Sequence, residues 1–309
     1  MSELMTVSAS PHVKTKDNTR RVMLDVLIAL APAAIAGVVI FGLRALAVLA
    51  VSVASAILAE YLFNLICRRP HTVGDLSAAV TGLLLGMNVP ANLPLWQAAV
   101  GSVFAIVVVK CLFGGIGKNF ANPAITARIF MTISFGSMAG AAFPTVVDAV
   151  ATATPLSEMK AGATNSPSYL DMLLGLKGGA IGEVCALALI VGFVYLLVRR
   201  VITWHTTVCF VGGVFLLALL FTGSLGMALT HVLSGGLLLG AIFMATDYTT
   251  TPITKWGRAL FGIGCALITV VIRMWGAYPE GVSFAILLMN ILTPYLERWT
   301  QPKVLGGAK

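Results

Sequence analysis

Residues 181–222 read IGEVCALALIVGFVYLLVRRVITWHTTVCFVGGVFLLALLFT. Two apolar runs, 181–198 and 203–222, flank the pair Arg199-Arg200. Each run approaches the roughly 20 residues that cross a hydrocarbon layer as a helix. A basic turn between two such runs belongs on the cytoplasmic face of a membrane. The stretch therefore predicts a transmembrane hairpin, and the same ruler applied outward finds more. Apolar runs lie at about 22–41, 45–67, 76–90, 95–113 and 124–143, and beyond a polar stretch at 144–180 the hairpin is followed by runs at 226–246, 259–273 and 282–296. The composition agrees: of 309 residues 58% are hydrophobic and 10% charged, with a mean hydropathy of +0.95. A soluble domain carries about 25% charged residues, so a soluble fold of this length could not cover its surface.

The positions of the basic residues test the count. With the N-terminus inside, fourteen of the twenty fall on the cytoplasmic side: Lys14, Lys16, Arg20, Arg21, Arg68, Arg69, Lys118, Arg199, Arg200, Lys255, Arg258, Arg298, Lys303 and Lys309. Four fall outside (Arg44, Lys160, Lys177, Arg273), and Lys110 and Arg128 lie within runs. That asymmetry predicts about ten spans, both termini cytoplasmic, in a multi-pass protein of the cell membrane. The basic excess is thus an orientation signal; no single patch points to nucleic acid.

The fold class expected is an all-α polytopic membrane protein forming one membrane domain, 1–309. It divides into a polar tail (1–21), a five-span half (22–143), an extracytoplasmic loop (144–180), a second five-span half (181–296) and a cytoplasmic tail (297–309). The polar tail shows no cleavable signal, so the first apolar run is expected to remain as an anchor. Five spans per half invert the second half relative to the first, the inverted-repeat plan in which broken helices surround a midplane site. The pentapeptide 82–86, GLLLG, recurs at 236–240, each time in the third span of its half. The short third run, and the Gly, Ser and Thr in 124–143 and 226–246, mark the candidate breaks.

Polar residues at membrane depth are candidates for function. The turn at 114–124, GGIGKNFANPA, lacks the spacing of a phosphate-binding P-loop. It suits either a tight cytoplasmic turn or a backbone-rich cradle in which Asn119 and Asn122 hold a polar ring or an ion. The segment 245–254, ATDYTTTPIT, sets Asp247 among hydroxyls and is expected to contact a ligand, beyond what helix capping requires. Asp25, Lys110 and Glu183 lie near span ends and are expected to snorkel to water. Glu60, two turns inside the second span, is the better ion-path candidate, and His231 reads as a core histidine without a second histidine to complete a haem site. The five cysteines form no CxxC pair and read mainly as packing residues, Cys67 and Cys111 at helix ends being the exceptions. Neither metal ligands nor catalytic groups are assigned. Last, residues 147–156, VDAVATATPL, form a threonine-rich loop on the outside.

Over nearly the whole chain the sequence resembles the RnfD component of the Rnf electron-transport complex, a relative of the NqrB component of the sodium-pumping NADH:quinone oxidoreductase. The resemblance rests on Ser10-Pro11-His12, the turn at 114–124, the Ala-Thr-Asp of 245–247, and Tyr278-Pro-Glu-Gly281 leading to Leu288-Met-Asn290. It implies FMN joined through its phosphate to a threonine hydroxyl, six residues after an aspartate. Asp148 and Thr154 have that separation and Ala153 matches, whereas Ala151 and Thr152 depart from the pattern and make Thr152 a competing acceptor. It also implies a second, non-covalent flavin (riboflavin or FMN), maturation by an extracytoplasmic flavin transferase, and partners within the complex that include an extracytoplasmic flavoprotein subunit. The chain would then relay electrons as part of an ion-translocating ferredoxin:NAD+ oxidoreductase, inactive alone, coupled to Na+ or H+ movement. The competing expectation is a secondary transporter or channel for a small solute without redox role, because fold alone does not set function.

Overall fold

The computed structural model describes residues 18–139, 154–160 and 168–301, and these are helical. Asp148 and Thr152, and the tail with Ser10-Pro11-His12, lie outside the described residues. Helices α1 (Thr19–Phe41) and α2 (Leu43–Ile66) are joined at Gly42 alone, whose positive φ of 76° is a conformation a side chain would resist. Next come α3 (Ser77–Met87), α4 (Leu95–Cys111, widening into π-turns over Phe104–Cys111) and α5 (Pro123–Ser134). Two short helices, α6 (Pro155–Lys160) and α7 (Tyr169–Leu174), precede α8 (Ala186–Val198) and α9 (Trp204–Thr222). The chain ends with α10 (Leu225–Leu233), α11 (Leu237–Met244), α12 (Lys255–Trp275) and α13 (Val282–Thr300).

Four helices, α1, α2, α9 and α12, are long and apolar enough to cross a membrane; α10 and α11, bent by 62° at their junction, make a fifth as one broken span. This is a polytopic membrane protein. The third, fourth and sixth expected runs form shorter apolar helices, α3, α4 and α8. The apolar residues that face outward, such as Leu43, Ile66, Leu220 and Trp256, suit contact with lipid tails rather than water.

Two interruptions have a backbone cause; one shifts an expected run, the other falls at an expected break. The run expected at 181–198 becomes helical only at Ala186. Residues before it instead lie across the end of α3, where Gly182 N donates to Met87 O at 2.8 Å and Ile181 N to Val89 O at 3.1 Å. The carbonyls left open at a helix C-terminus are satisfied by this strip of chain. The second interruption is the gap between α10 and α11, a Ser234-Gly235-Gly236 step.

The core is built by close helix contacts: α2 on α3 and α4, α12 on α9 and α13, α1 on α8. In α3 the first glycine of the pentapeptide is a contact point, since a Cβ on Gly82 would lie 2.7 Å from Ser52 O and 2.8 Å from Val53 Cα on α2. Gly212 in α9 has open space at the same position. Gly82→Leu is therefore expected to destabilise by at least the ~1–3 kcal/mol typical of overpacking. Gly212→Ala should leave the unfolding temperature of the detergent-solubilised protein unchanged or raise it slightly. Equal effects of the two substitutions would contradict the packing described.

Candidate functional site

Two cavities lie back to back. The first, of about 90 Å³, is lined by the first turns of α1, the turn before α5, and residues 246–249, with Lys110 and Ser77 in its wall. The glycine turn reaches it because Gly114, Gly115 and Gly117 all have positive φ (114°, 93° and 86°), which folds the chain back and presents Asn119. Asn122 caps α5: its Oδ1 accepts from Ala124 N at 3.0 Å and Ile125 N at 3.3 Å, ahead of Pro123 in the first turn. Its Nδ2 donates to Met244 O at 3.4 Å. Asn119 Oδ1, by contrast, is buried without a partner. The structure thus brings Asn119, Asn122 and Asp247 together around one cavity.

Several of the threonines near Asp247 bond to it locally, more of the cluster than helix capping alone would take up. Thr249 donates to the carboxylate from its amide and hydroxyl, Thr250 Oγ1 donates at 3.4 Å, Thr251 Oγ1 bonds the Asp247 carbonyl at 2.7 Å, and Thr254 caps α12. Asp247 itself faces the cavity. Burial raises its carboxyl above the ordinary value near 3.8, against the lowering effect of the Thr249 and Thr250 bonds. Burial, together with the Asp247 charge, pushes the neighbouring Tyr248 phenol up to about 12.

Lys110 and Glu60 do not behave as expected. Lys110 does not snorkel: it and Glu60 are each 2% exposed at the side chain, and Nζ lies 2.8 Å from Glu60 Oε1. Glu60 is therefore not isolated; it also accepts from Thr72 Oγ1 at 2.6 Å. Asp25 likewise pairs with Arg199 at 3.1 Å, and Glu183 is buried, so all three predicted snorkelers are held by the fold. His231 is buried, in line with a core role.

The second cavity, of about 430 Å³, lies where α5 and the re-entrant strip meet residues 278–284. Thr154 lines it, half-buried, with Oγ1 2.9 Å from Ser157 Oγ and accepting from Ser157 N at the start of α6. Facing Thr154 is a charged group that no sequence motif assembles. Arg128 forms a bidentate contact with Glu280 and donates to Asn88 Oδ1 at 2.9 Å and Ser283 Oγ at 3.2 Å. Glu280 also accepts from Gly236 N at 2.5 Å, and Glu183 keeps one buried oxygen unpartnered. Lys177, donating to Leu233 O nearby, is pushed down to about 8 by burial. The one advance signal was Glu280 within the Tyr-Pro-Glu-Gly motif; nothing in the sequence joined it to Arg128. Among the described residues no group of three His, Cys, Asp or Glu converges on a metal site.

The two cavities are lined from neighbouring positions of the same two segments. Leu84 lines the first and Asn88 the second, four residues on; Asn122 lines the first and Arg128 the second, six residues on. At 1.5 Å per helical residue these lining residues stand about 6–9 Å apart along the chain.

The sequence matches the model of the NQR2, RnfD, RnfE family over residues 6–306. The chain belongs to this family. It is 48% identical, over all of its length and 98% of the relative's, to the RnfD-type component of the Na(+)-translocating ferredoxin:NAD(+) oxidoreductase complex of Acetobacterium woodii. It is 38% identical to the proton-translocating counterpart of Clostridium ljungdahlii, covering 98% of this chain and 96% of the relative. The corresponding component of the ion-translocating oxidoreductase complex of Halorhodospira halophila is 36% identical over 100% and 97%.

Two tests follow from this geometry. Arg128→Met leaves Glu280 without its counter-charge and should cost on the order of 3 kcal/mol, the scale for stripping one partner from a buried pair. Adding Glu280→Gln should recover part of the unfolding temperature; no recovery would mean the pair is not coupled. For Asp247 the folded value is raised, so its contribution is fully present below about pH 4 and is lost as pH rises through the folded value. Asp247→Asn should remove that loss, so its unfolding temperature should exceed the parent's increasingly from about pH 4 towards neutrality. Parallel pH profiles would contradict the burial assigned to this carboxylate.

Proposed function

We propose that this chain is the membrane-integral, flavin-carrying electron-transfer subunit of an ion-translocating ferredoxin:NAD+ oxidoreductase complex of the Rnf type. The observation that carries the reading is a pair of cavities lined from neighbouring positions of the same helices, one of them lined by Thr154. Names borne by relatives up to 48% identical support the complex and its coupling to ion movement. FMN held there supplies one- and two-electron chemistry, which suits a relay between carriers.

The chain's own residues fit that role. Thr154 lines a cavity whose volume lies in the range of small-molecule sites. As an ester it keeps its acceptor role towards Ser157 N. Arg128 offers fixed positive charge to an anionic group in that cavity, and Asn88 holds the guanidinium in place. On the other side, the orphaned Asn119 oxygen and the Asp247 segment offer acceptors that match the N–H edge of a flavin ring. A non-covalent flavin there would lie partly in the cavity mouth, since about 90 Å³ does not enclose three fused rings.

The finer topology belongs to the same proposal: about ten spans in two inverted halves, termini cytoplasmic, the Thr154 cavity facing outward. Support comes from a parallel between the halves. Lys110, at the end of α4, donates to Ser77 ahead of the first GLLLG; Arg273, at the end of α12, donates to the Ser234 carbonyl ahead of the second. Implied partners are the other subunits of the complex, an extracytoplasmic flavoprotein among them, a flavin transferase for maturation, and membrane lipid.

Whole-subunit mass measurement on the protein from its native membrane is the test. The mature chain should carry one FMN increment, retained in Thr154→Ser and lost in Thr154→Ala. An increment that survives Thr154→Ala and vanishes in Thr152→Ala moves the acceptor. An unmodified chain overturns the covalent flavin and returns weight to a transporter without redox role.

A further inference from the structure

Aromatic residues mark two levels on the second half of the chain. Trp256 and Trp275 stand at the two ends of α12, about 28 Å apart at 1.5 Å per residue. On the adjacent α9, Trp204 and Phe221 are about 26 Å apart. Phe221 meets Trp275 edge to face, with ring centroids 5.1 Å apart, so both helices reach one level together. At their other ends Arg258 of α12 donates to Thr203 Oγ1, just ahead of α9, at 2.9 Å. Thr254, ahead of α12, lies with its Oγ1 2.6 Å from that of Thr300 at the end of α13, which brings Trp299 to the same level as Trp204 and Trp256. The hydrocarbon core of a bilayer is about 30 Å thick and tryptophan settles at its borders. Trp204, Trp256 and Trp299, exposed by 53%, 78% and 76%, therefore mark one border on three neighbouring helices.

The side chains beside these tryptophans are mostly of one sign. Arg200, Lys255 and Arg298 each lie within four residues of one of them, are exposed, and among the described residues join no ion pair. Arg258 is held in place, its Nε also donating to Pro252 O at 3.0 Å. The carboxylate at these helix ends, Glu297, accepts from Ile253 N at 3.2 Å. Asp25 is taken up by Arg199 and Asp247 by the hydroxyls of its own turn. One turn further along the helices, on the hydrocarbon side, Val208, Leu260, Leu292 and Tyr295 are exposed. A ligand for this face is anionic at the level of the charges and apolar beneath the tryptophans. That is the chemistry of a phospholipid with an acidic headgroup, whereas an acidic protein segment answers the charges alone.

We propose that the ends of α9, α12 and α13 marked by Trp204, Trp256 and Trp299 form a binding site for an anionic phospholipid, with Arg200, Lys255 and Arg298 on its headgroup and the exposed apolar side chains below on its tails. The three helices are already bonded to one another at this level, so the site is preformed. It is independent of any flavin.

The test offers the full chain in detergent equal amounts of phosphatidylglycerol and phosphatidylcholine with the same tails, and counts retained lipid by native mass spectrometry. The parent should retain phosphatidylglycerol preferentially. Arg200→Gln, Lys255→Gln and Arg298→Gln should each lower that preference about fivefold, and the triple variant should abolish it. Arg44→Gln, at the start of α2, should leave it unchanged. In phosphatidylcholine alone the triple variant should unfold at the parent's temperature, and it should lose only the extra stability that phosphatidylglycerol gives the parent. A parent without preference, or a triple variant that keeps it, overturns the site. An equal loss in Arg44→Gln also overturns it, since the preference would then follow net charge. Lys255 shielded from acylation only in the assembled complex, with no lipid preference in the parent, overturns it in favour of an acidic subunit.

Discussion

Hydrocarbon offers nothing to an open backbone amide or carbonyl, and the arrangement of this protein follows from that constraint. An unbroken helix satisfies itself; a broken one must find partners for its loose ends. The C-terminus of α3 finds them in the amides of Ile181 and Gly182. The gap between α10 and α11 finds them in charged side chains, with Glu280 on the Gly236 amide and Arg273 on the carbonyls of His231 and Ser234. Those charges then need counter-charges, which brings Arg128 from α5 to Glu280. The Thr154 cavity opens where these groups gather, so the polar site is a consequence of breaking the helix.

The three ion pairs each join distant parts of the chain: Asp25 to Arg199, Glu60 to Lys110, Arg128 to Glu280. The desolvation cost of such a pair offsets much of its attraction, while loss of one partner is severe. Their effect is therefore on specificity more than on net stability. Asp25 and Arg199 hold the ends of α1 and α8 together, adding opposite charges to the packing of the long first helix against the second half. The other two pairs each border a cavity.

Much of the helical order was legible because hydropathy and basic turns are local signals. Arg199-Arg200 separates α8 from α9, and the Gly- and Ser-rich stretch at 234–236 marks the break, as residue type alone suggests. Thr154, Asn119, Asn122 and Asp247 were legible through motif resemblance, and the last three do share a cavity. What stayed hidden was pairing. Lys110 near a span end looks like a snorkeling residue until α2 supplies Glu60 from fifty positions away. Which of the hydroxyls around Asp247 bond to it shows only in the local turn. Glu183 sits at the start of an apolar run, and only the glycines that lay that strip across α3 explain why it is buried.

The two cavities differ in the kind of positive charge beside them. The Thr154 cavity is bordered by the Arg128 guanidinium, fixed by several bonds and paired with Glu280. The Asn122 cavity is bordered by one ammonium on a flexible stem, balanced by one carboxylate with a spare oxygen. Four rotatable carbons and a single counter-ion make this the part of the charge network that can rearrange without unfolding a helix end. The contrast is then a physical one: fixed charge beside the Thr154 cavity, a movable ammonium beside the Asn122 cavity.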